Sequence, residues 1–150
     1  MKPVLQALVL ADRIYEDISH KKIICGTFNQ IFLVKISKPL EVELPNGSKK
    51  VAVPGGADLG CPSAYLSLTD VVDGTEITLQ IVNVSKNAVL FQTAFRINAN
   101  DRLATIEIIA PLPPISAFCG EPGNFSLDVV WNSEILGSHR VLVKAIESQP

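Results

Sequence analysis

Apolar and polar residues alternate one for one over Gly123–Trp131. Phe125, Leu127, Val129 and Trp131 are set between Asn124, Ser126, Asp128 and Val130. Period-two alternation predicts a strand with one face buried and one wet. A short Asn132-Ser133-Glu134 turn and the apolar Ile135–Ala145 follow, so 123–145 reads as a β-hairpin. Two registers compete for the return strand. A three-residue turn sends Ile135, Val141 and Val143 inward together with Gly137 and His139. A two-residue turn sends Leu136, Ser138, Arg140 and Leu142 inward and buries an arginine. An unpaired buried charge is costly, so the first register is expected, with Gly137 at a bulge or thin spot. On this reading Asn124, Ser126 and Asp128 face water, and Trp131 packs at the core or its rim.

The same patterns recur upstream. Val4–Ala11 is a near-continuous apolar run, as in a central strand covered on both faces, and Asp12–His20 reads as a polar connection with room for one helical turn. Lys22–Phe28 is a second strand, whose Gly26 predicts a bulge or a close backbone approach. Ile31–Ile36 continues extended. Glu41–Leu44 and Lys49–Val53 flank Pro45-Asn46-Gly47-Ser48, where Asn-Gly predicts a type I′ hairpin turn and so a small hairpin arm at 41–53. Pro54-Gly55-Gly56 reads as a hinge. Ala64–Val72 and Thr75–Val84 flank Asp73-Gly74, a second hairpin signal. Ala88–Ile97 and Leu103–Ala110 are further strands, and Pro111-Leu-Pro-Pro114 ends pairing because proline cannot donate to a ladder. Ile115–Pro122 reads as a loop reaching over an end or edge.

About eight strands plus the arm, with turn signals every ten residues or so, predict a mainly β fold: one antiparallel β-sandwich domain over 1–150, immunoglobulin-like or C2-like in strand order. Composition agrees. The chain has 150 residues, 47% of them apolar, enough for a real core. Its formal charge of −2, with Lys21-Lys22 and Lys49-Lys50 as isolated pairs, argues against nucleic acid. No run approaches the ~18 apolar residues of a membrane helix. The apolar start is broken by Gln6 and Asp12-Arg13 and lacks a small-residue cleavage site, so it reads as a strand and the cytoplasm is expected. Three widely spaced cysteines, Cys25, Cys61 and Cys119, make no disulfide framework. Cys25 is expected to pack as a small hydrophobe, and Cys61 and Cys119 fall in loops.

Two segments resemble a family of small, functionally uncharacterised bacterial proteins: Ala11-Asp12-Arg13-Ile14-Tyr15, and Ile24-Cys25-Gly26-Thr27-Phe28. The tail is similar too, with a Pro-rich linker, Pro122-Gly123-x-Phe125, a tight turn, Leu136-Gly137 and a final apolar strand. The resemblance covers most of the chain apart from 37–62. It implies a β-sandwich with no assigned activity.

Candidate chemistry is sparse. His20 lies in a polar connection and His139 falls opposite Leu127, and no local motif brings a base to a cysteine, so no catalytic residue is assigned. Zinc spacing is absent from the sequence. Asp70, Asp73, Asp58, Asp101 and Asp128 are scattered, and turn preference accounts for Asp73 and Asp101, so no metal or cofactor is expected. Asp12 and Arg13, adjacent at a strand end, point to opposite faces, and with Tyr15 they form the candidate binding surface. The expected function is a non-enzymatic module acting by protein–protein binding or self-association through strand edges, with neither nucleic acid nor membrane as partner. A small-ligand or enzymatic site at one end of the sandwich is the alternative, and a structural part of a virion or secretion apparatus a third.

Overall fold

The computed structural model describes residues 2–35, 40–43, 45–47, 49–52, 61–115 and 121–147. The strands are β1 Val4–Glu16, β2 Lys22–Thr27, β3 Gln30–Lys35, β4 Leu40–Glu43, β5 Lys49–Ala52, β6 Ser63–Thr69, β7 Thr75–Asn83, β8 Ala88–Ile97, β9 Ile106–Pro111, β10 Gly123–Trp131 and β11 Glu134–Glu147. One sheet, A, has the order β2-β1-β6-β9. The other, B, has the order β3-β11-β10-β7-β8, and β4-β5 stand as a two-stranded arm. The fold is a β-sandwich. It is antiparallel except where β3 pairs parallel to β11.

Alternation explains the core. Leu66 and Leu68 of β6 face Ile77, Leu79 and Ile81 of β7 and Phe125, Leu127 and Val129 of β10, all buried in one cluster. Each such side chain contributes about 1.5–3 kcal/mol when taken out of water. The void that Leu10, Ile81, Leu112, Phe125 and Val141 enclose is about 10 Å³, hardly room for one water. The space between the sheets therefore offers no ligand cavity there.

Several local expectations change. β1 does not stop at Ala11 but runs to Glu16, because Arg13, Ile14, Tyr15 and Glu16 pair with Cys25, Ile24, Ile23 and Lys22. The segment after it is a tight turn, not a helical one. Asp17 caps it, its Oδ1 accepting the N–H of Ser19 at 2.8 Å and of Lys21 at 2.9 Å. β1 is interior to its sheet, yet Val4 is exposed and only Leu10 and Ala11 along it are fully buried. β9 starts at Ile106, and Ala104 lies in the preceding turn, its N–H bonded to Asp101 O.

Asp73-Gly74 makes a turn but no hairpin, since β6 lies in sheet A and β7 in sheet B. Thr75 N–H closes the turn on Val72 O, while Gly74 N–H bonds Ile97 O and Asp73 Oδ1 accepts Ala99 N–H. Turn residues dictate a reversal; which strands then pair depends on where their apolar faces are buried. In the arm, Gly47 takes a positive φ and Asn46 does not, so the type I′ form, which needs both, is absent. The 54–56 hinge and Cys119 lie outside the described residues.

The closing hairpin satisfies both competing registers at once. Trp131 pairs with Glu134 across a two-residue turn, Asn132-Ser133, whose residues both have positive φ. That is the backbone of a type I′ turn. The pairs then slip from Val130↔Ile135 to Val129↔Gly137, leaving Leu136 as the extra residue of a bulge. Beyond it Val141 and Val143 point inward, as expected, while Ile135 is exposed, contrary to expectation. Gly137 is the thin spot: a Cβ there would stand 2.5 Å from Leu5 Cδ2, so Leu5 of β1 fills its place. Gly137→Val is expected to destabilise the fold by about 1–3 kcal/mol through overpacking, and Leu5→Ala in the same chain to recover part of the loss, read from urea unfolding midpoints.

Candidate functional site

The candidate surface Asp12, Arg13 and Tyr15 lies on β1 where it pairs with β2. Alternation splits it as expected. Arg13 and Tyr15 share one face, and an Arg13 N–H donates to the Tyr15 hydroxyl at 3.4 Å. That bond, above all, raises the Arg13 guanidinium beyond its already high ordinary value. Cys25, opposite Arg13 in the ladder, is exposed rather than packed as a small hydrophobe. β2 is an edge strand, and the Cys25 side of it faces outward.

Asp12 is on the other face, directly over Gly26. Gly26 has φ +71°, and a Cβ on it would meet Asp12 Oδ2 at 2.5 Å and Asp12 Cγ at 3.1 Å. The glycine is thus the close backbone approach that its place in a strand suggested. It binds the two motif segments, Ala11–Tyr15 and Ile24–Phe28, into one packed unit. Gly26→Ala is expected to cost about 1–3 kcal/mol, from left-handed strain and the clash together. Asp12→Ala in the same chain should remove the carboxyl contacts and leave the strain, so thermal denaturation should show the two losses to be non-additive.

At the far end of this ladder Glu16 accepts from Lys22 Nζ at 3.0 Å and lies 2.7 Å from His20 Nδ1. His20 first, and Lys22 next, hold the Glu16 carboxyl below the ordinary glutamate range. A lowered folded-state value means that the pairing favours the fold above the unfolded-state pKa and is lost as pH falls through the folded one. An NMR titration of the Glu16 carboxyl should show a depressed midpoint that rises on His20→Ala and on Lys22→Ala.

Sheet B holds a polar cluster that the hairpin pattern had assigned to water. Ser126 and Asp128 are buried, at 5% and 6% exposure. Both Ser126 Oγ and Ser138 Oγ donate to Asp128 Oδ1, at 2.5 and 2.7 Å, and Gln80 Nε2 donates to Oδ2 at 3.4 Å. Burial follows from strand order. β10 is the middle strand of five, so side chains of β7 and β11 close over its outer face. A carboxylate taken out of water must be hydrogen-bonded, and two hydroxyls and an amide do this here. The serine at 138, one strand across from Asp128, was the available signal, readable once the hairpin register is known.

Serine, aspartate and histidine thus occur together in one hairpin, but they form no nucleophilic triad. His139 follows Ser138 and therefore points to the opposite face. There its Nε2–H donates to Phe28 O at 2.8 Å, as a packed histidine does. A recess of about 180 Å³ opens beside it, lined by Thr27, Phe28, Asn29 and His139. A second, of about 320 Å³, is lined by Lys2, Pro3, Val4, Leu5 and Leu136, next to the Lys2–Glu134 ion pair. Asp12, Arg13 and Tyr15 line neither. Among the described residues no three His, Cys, Asp or Glu side chains gather as metal ligands, and no helix is long and apolar enough to cross a membrane.

The edges of the sheets complete the surface. Among the described residues sheet A ends in β2 and β9, and sheet B in β3 and β8. β8 has ten residues and carries a single charge, Arg96, with Val89 54% and Leu90 44% exposed. No protein-family model matches the chain, and no curated protein matches it either.

Proposed function

We propose that this chain is a non-enzymatic β-sandwich module that binds a protein partner by strand addition at an open sheet edge, and that it works in the cytoplasm. The observation that carries this reading is β8. An unpaired edge presents a row of backbone donors and acceptors, and soluble proteins ordinarily guard such edges with charges, proline or brevity. The other edge strands of the two main sheets are six residues each, and β2 and β9 carry such guards: Lys22 and the left-handed Gly26 in β2, Glu107 and Pro111 in β9. β8 is longer and has one bulge, at Leu90, near its start. Packing supports the same reading. The core is filled, and Asp128 and His139 each have hydrogen-bond partners that account for them.

We propose that the chain is related to the small, uncharacterised bacterial β-sandwich proteins that its Ala-Asp-Arg and Gly-x-Phe segments resemble. The Asp12–Gly26 contact supplies a physical reason for the two to occur together.

A photo-crosslinking residue, p-benzoylphenylalanine, at Val89 tests strand addition in living cells. The control position is Ile18, which is fully exposed in the β1–β2 turn. Discrete protein adducts are expected from position 89 and none from 18. Equal adducts from both, or none from 89, would reject an edge-mediated role.

A further inference from the structure

Resting on that reading, we infer that the strand added to β8 is the β8 of a second copy of this chain, paired antiparallel about a two-fold axis through Thr93. Sheet B would then continue across two subunits as a ten-stranded sheet.

The register follows from parity. Phe91, Thr93, Phe95 and Ile97 lie opposite Ile81, Leu79, Ile77 and Thr75 of β7, on the inner face. Gln92, Ala94 and Arg96 lie opposite Gln80, Thr78 and Glu76, on the outer face. Two sheets joined edge to edge about a perpendicular two-fold axis must keep inner opposite inner, so the two residue numbers in each pair sum to an even number. A sum of 186 sets Thr93 opposite Thr93, Phe91 opposite Phe95 in both directions, and Gln92 opposite Ala94. Phe91 and Phe95 are only partly buried in the free chain and pack at the margin of the core. They have surface left to cover, and aromatic pairs directly opposite each other favour strand association. A sum of 188 would set Phe91 against Ile97, which is already 5% exposed and has almost nothing to give. Charge agrees. Arg96 is the one charge of β8, and in the chosen register the two copies of it lie at opposite ends of the ladder, so no like charges meet. A homotypic contact therefore needs no complementary partner, whereas the edges of β2 and β9 would bring Lys22 or Glu107 into any pairing.

Sedimentation velocity from 1 to 200 µM on the full chain tests this, with circular dichroism to confirm folding of each variant. Gln92 and Ala94 are exposed, face Gln80 and Thr78 within the subunit, and accept charge without a clash there. Wild type is expected to dimerise. Q92K/A94K places lysine opposite lysine twice and should weaken the dimer at least about tenfold. Q92K/A94E places lysine opposite glutamate twice and should hold it within about threefold of wild type. A folded wild type that stays monomeric throughout overturns self-pairing. A dimer indifferent to both variants, or one lost equally in both, overturns this register. Adducts of Val89 to a different protein, with a monomeric wild type, would reject the second copy and leave strand addition standing.

Discussion

The bulge at Leu136 reconciles two demands on the closing hairpin. The backbone at Asn132 and Ser133 forms the tight two-residue turn that matches strand twist, while the burial of Val141 and Val143 requires the register of a three-residue turn. One extra residue in β11 satisfies both, because side chains alternate with period two and a slip of one exchanges the faces. Much else in sheet B hangs on it. It brings Gly137 inward, where Leu5 of the facing sheet fills its place. It also sets Ser138 against Asp128 and points His139 at Phe28 O. Without the bulge Arg140 would lie toward the core and the buried carboxylate would lose a hydroxyl.

Polar groups in this protein are consumed by structure. Asp17 holds a turn, Asp73 ties one sheet crossing to Ala99, and Asn83 accepts Lys86 N–H in the β7–β8 turn. Among the described residues no buried side-chain polar atom lacks a partner. Among the described residues the sheet margins present unpaired backbone, and β8 is the longest of them. Strand order decides which strand is an edge.

Sequence pattern located the strands well where alternation was regular, as in β7, β8 and β10. It failed where one local signal had two structural outcomes. Asp73-Gly74 encodes a reversal, and nothing local tells a hairpin from a crossing between sheets. The polar residues after Ala11 read as loop, yet β2 gives them a ladder to join, so β1 continues to Glu16. Cys25 sits among apolar residues but lies on the outer side of an edge strand, and is exposed. Of the candidate surface, the split of Asp12 from Arg13 and Tyr15 was legible from parity alone. The packing of Asp12 on Gly26 was not, because it joins strands through a left-handed glycine whose partner lies fourteen positions away.

The sequence by itself determined the β-sandwich class, the face each regular strand buries, and the scarcity of local catalytic motifs. Those properties depend on period-two patterning and residue type, which are local. Tertiary structure alone decided that β6 and β7 part into different sheets, that Ser126 and Asp128 are covered by their neighbours, and that β8 ends its sheet. Each of these depends on which strands lie side by side. That order is set by the joint burial of all the apolar faces, a condition that no single segment carries.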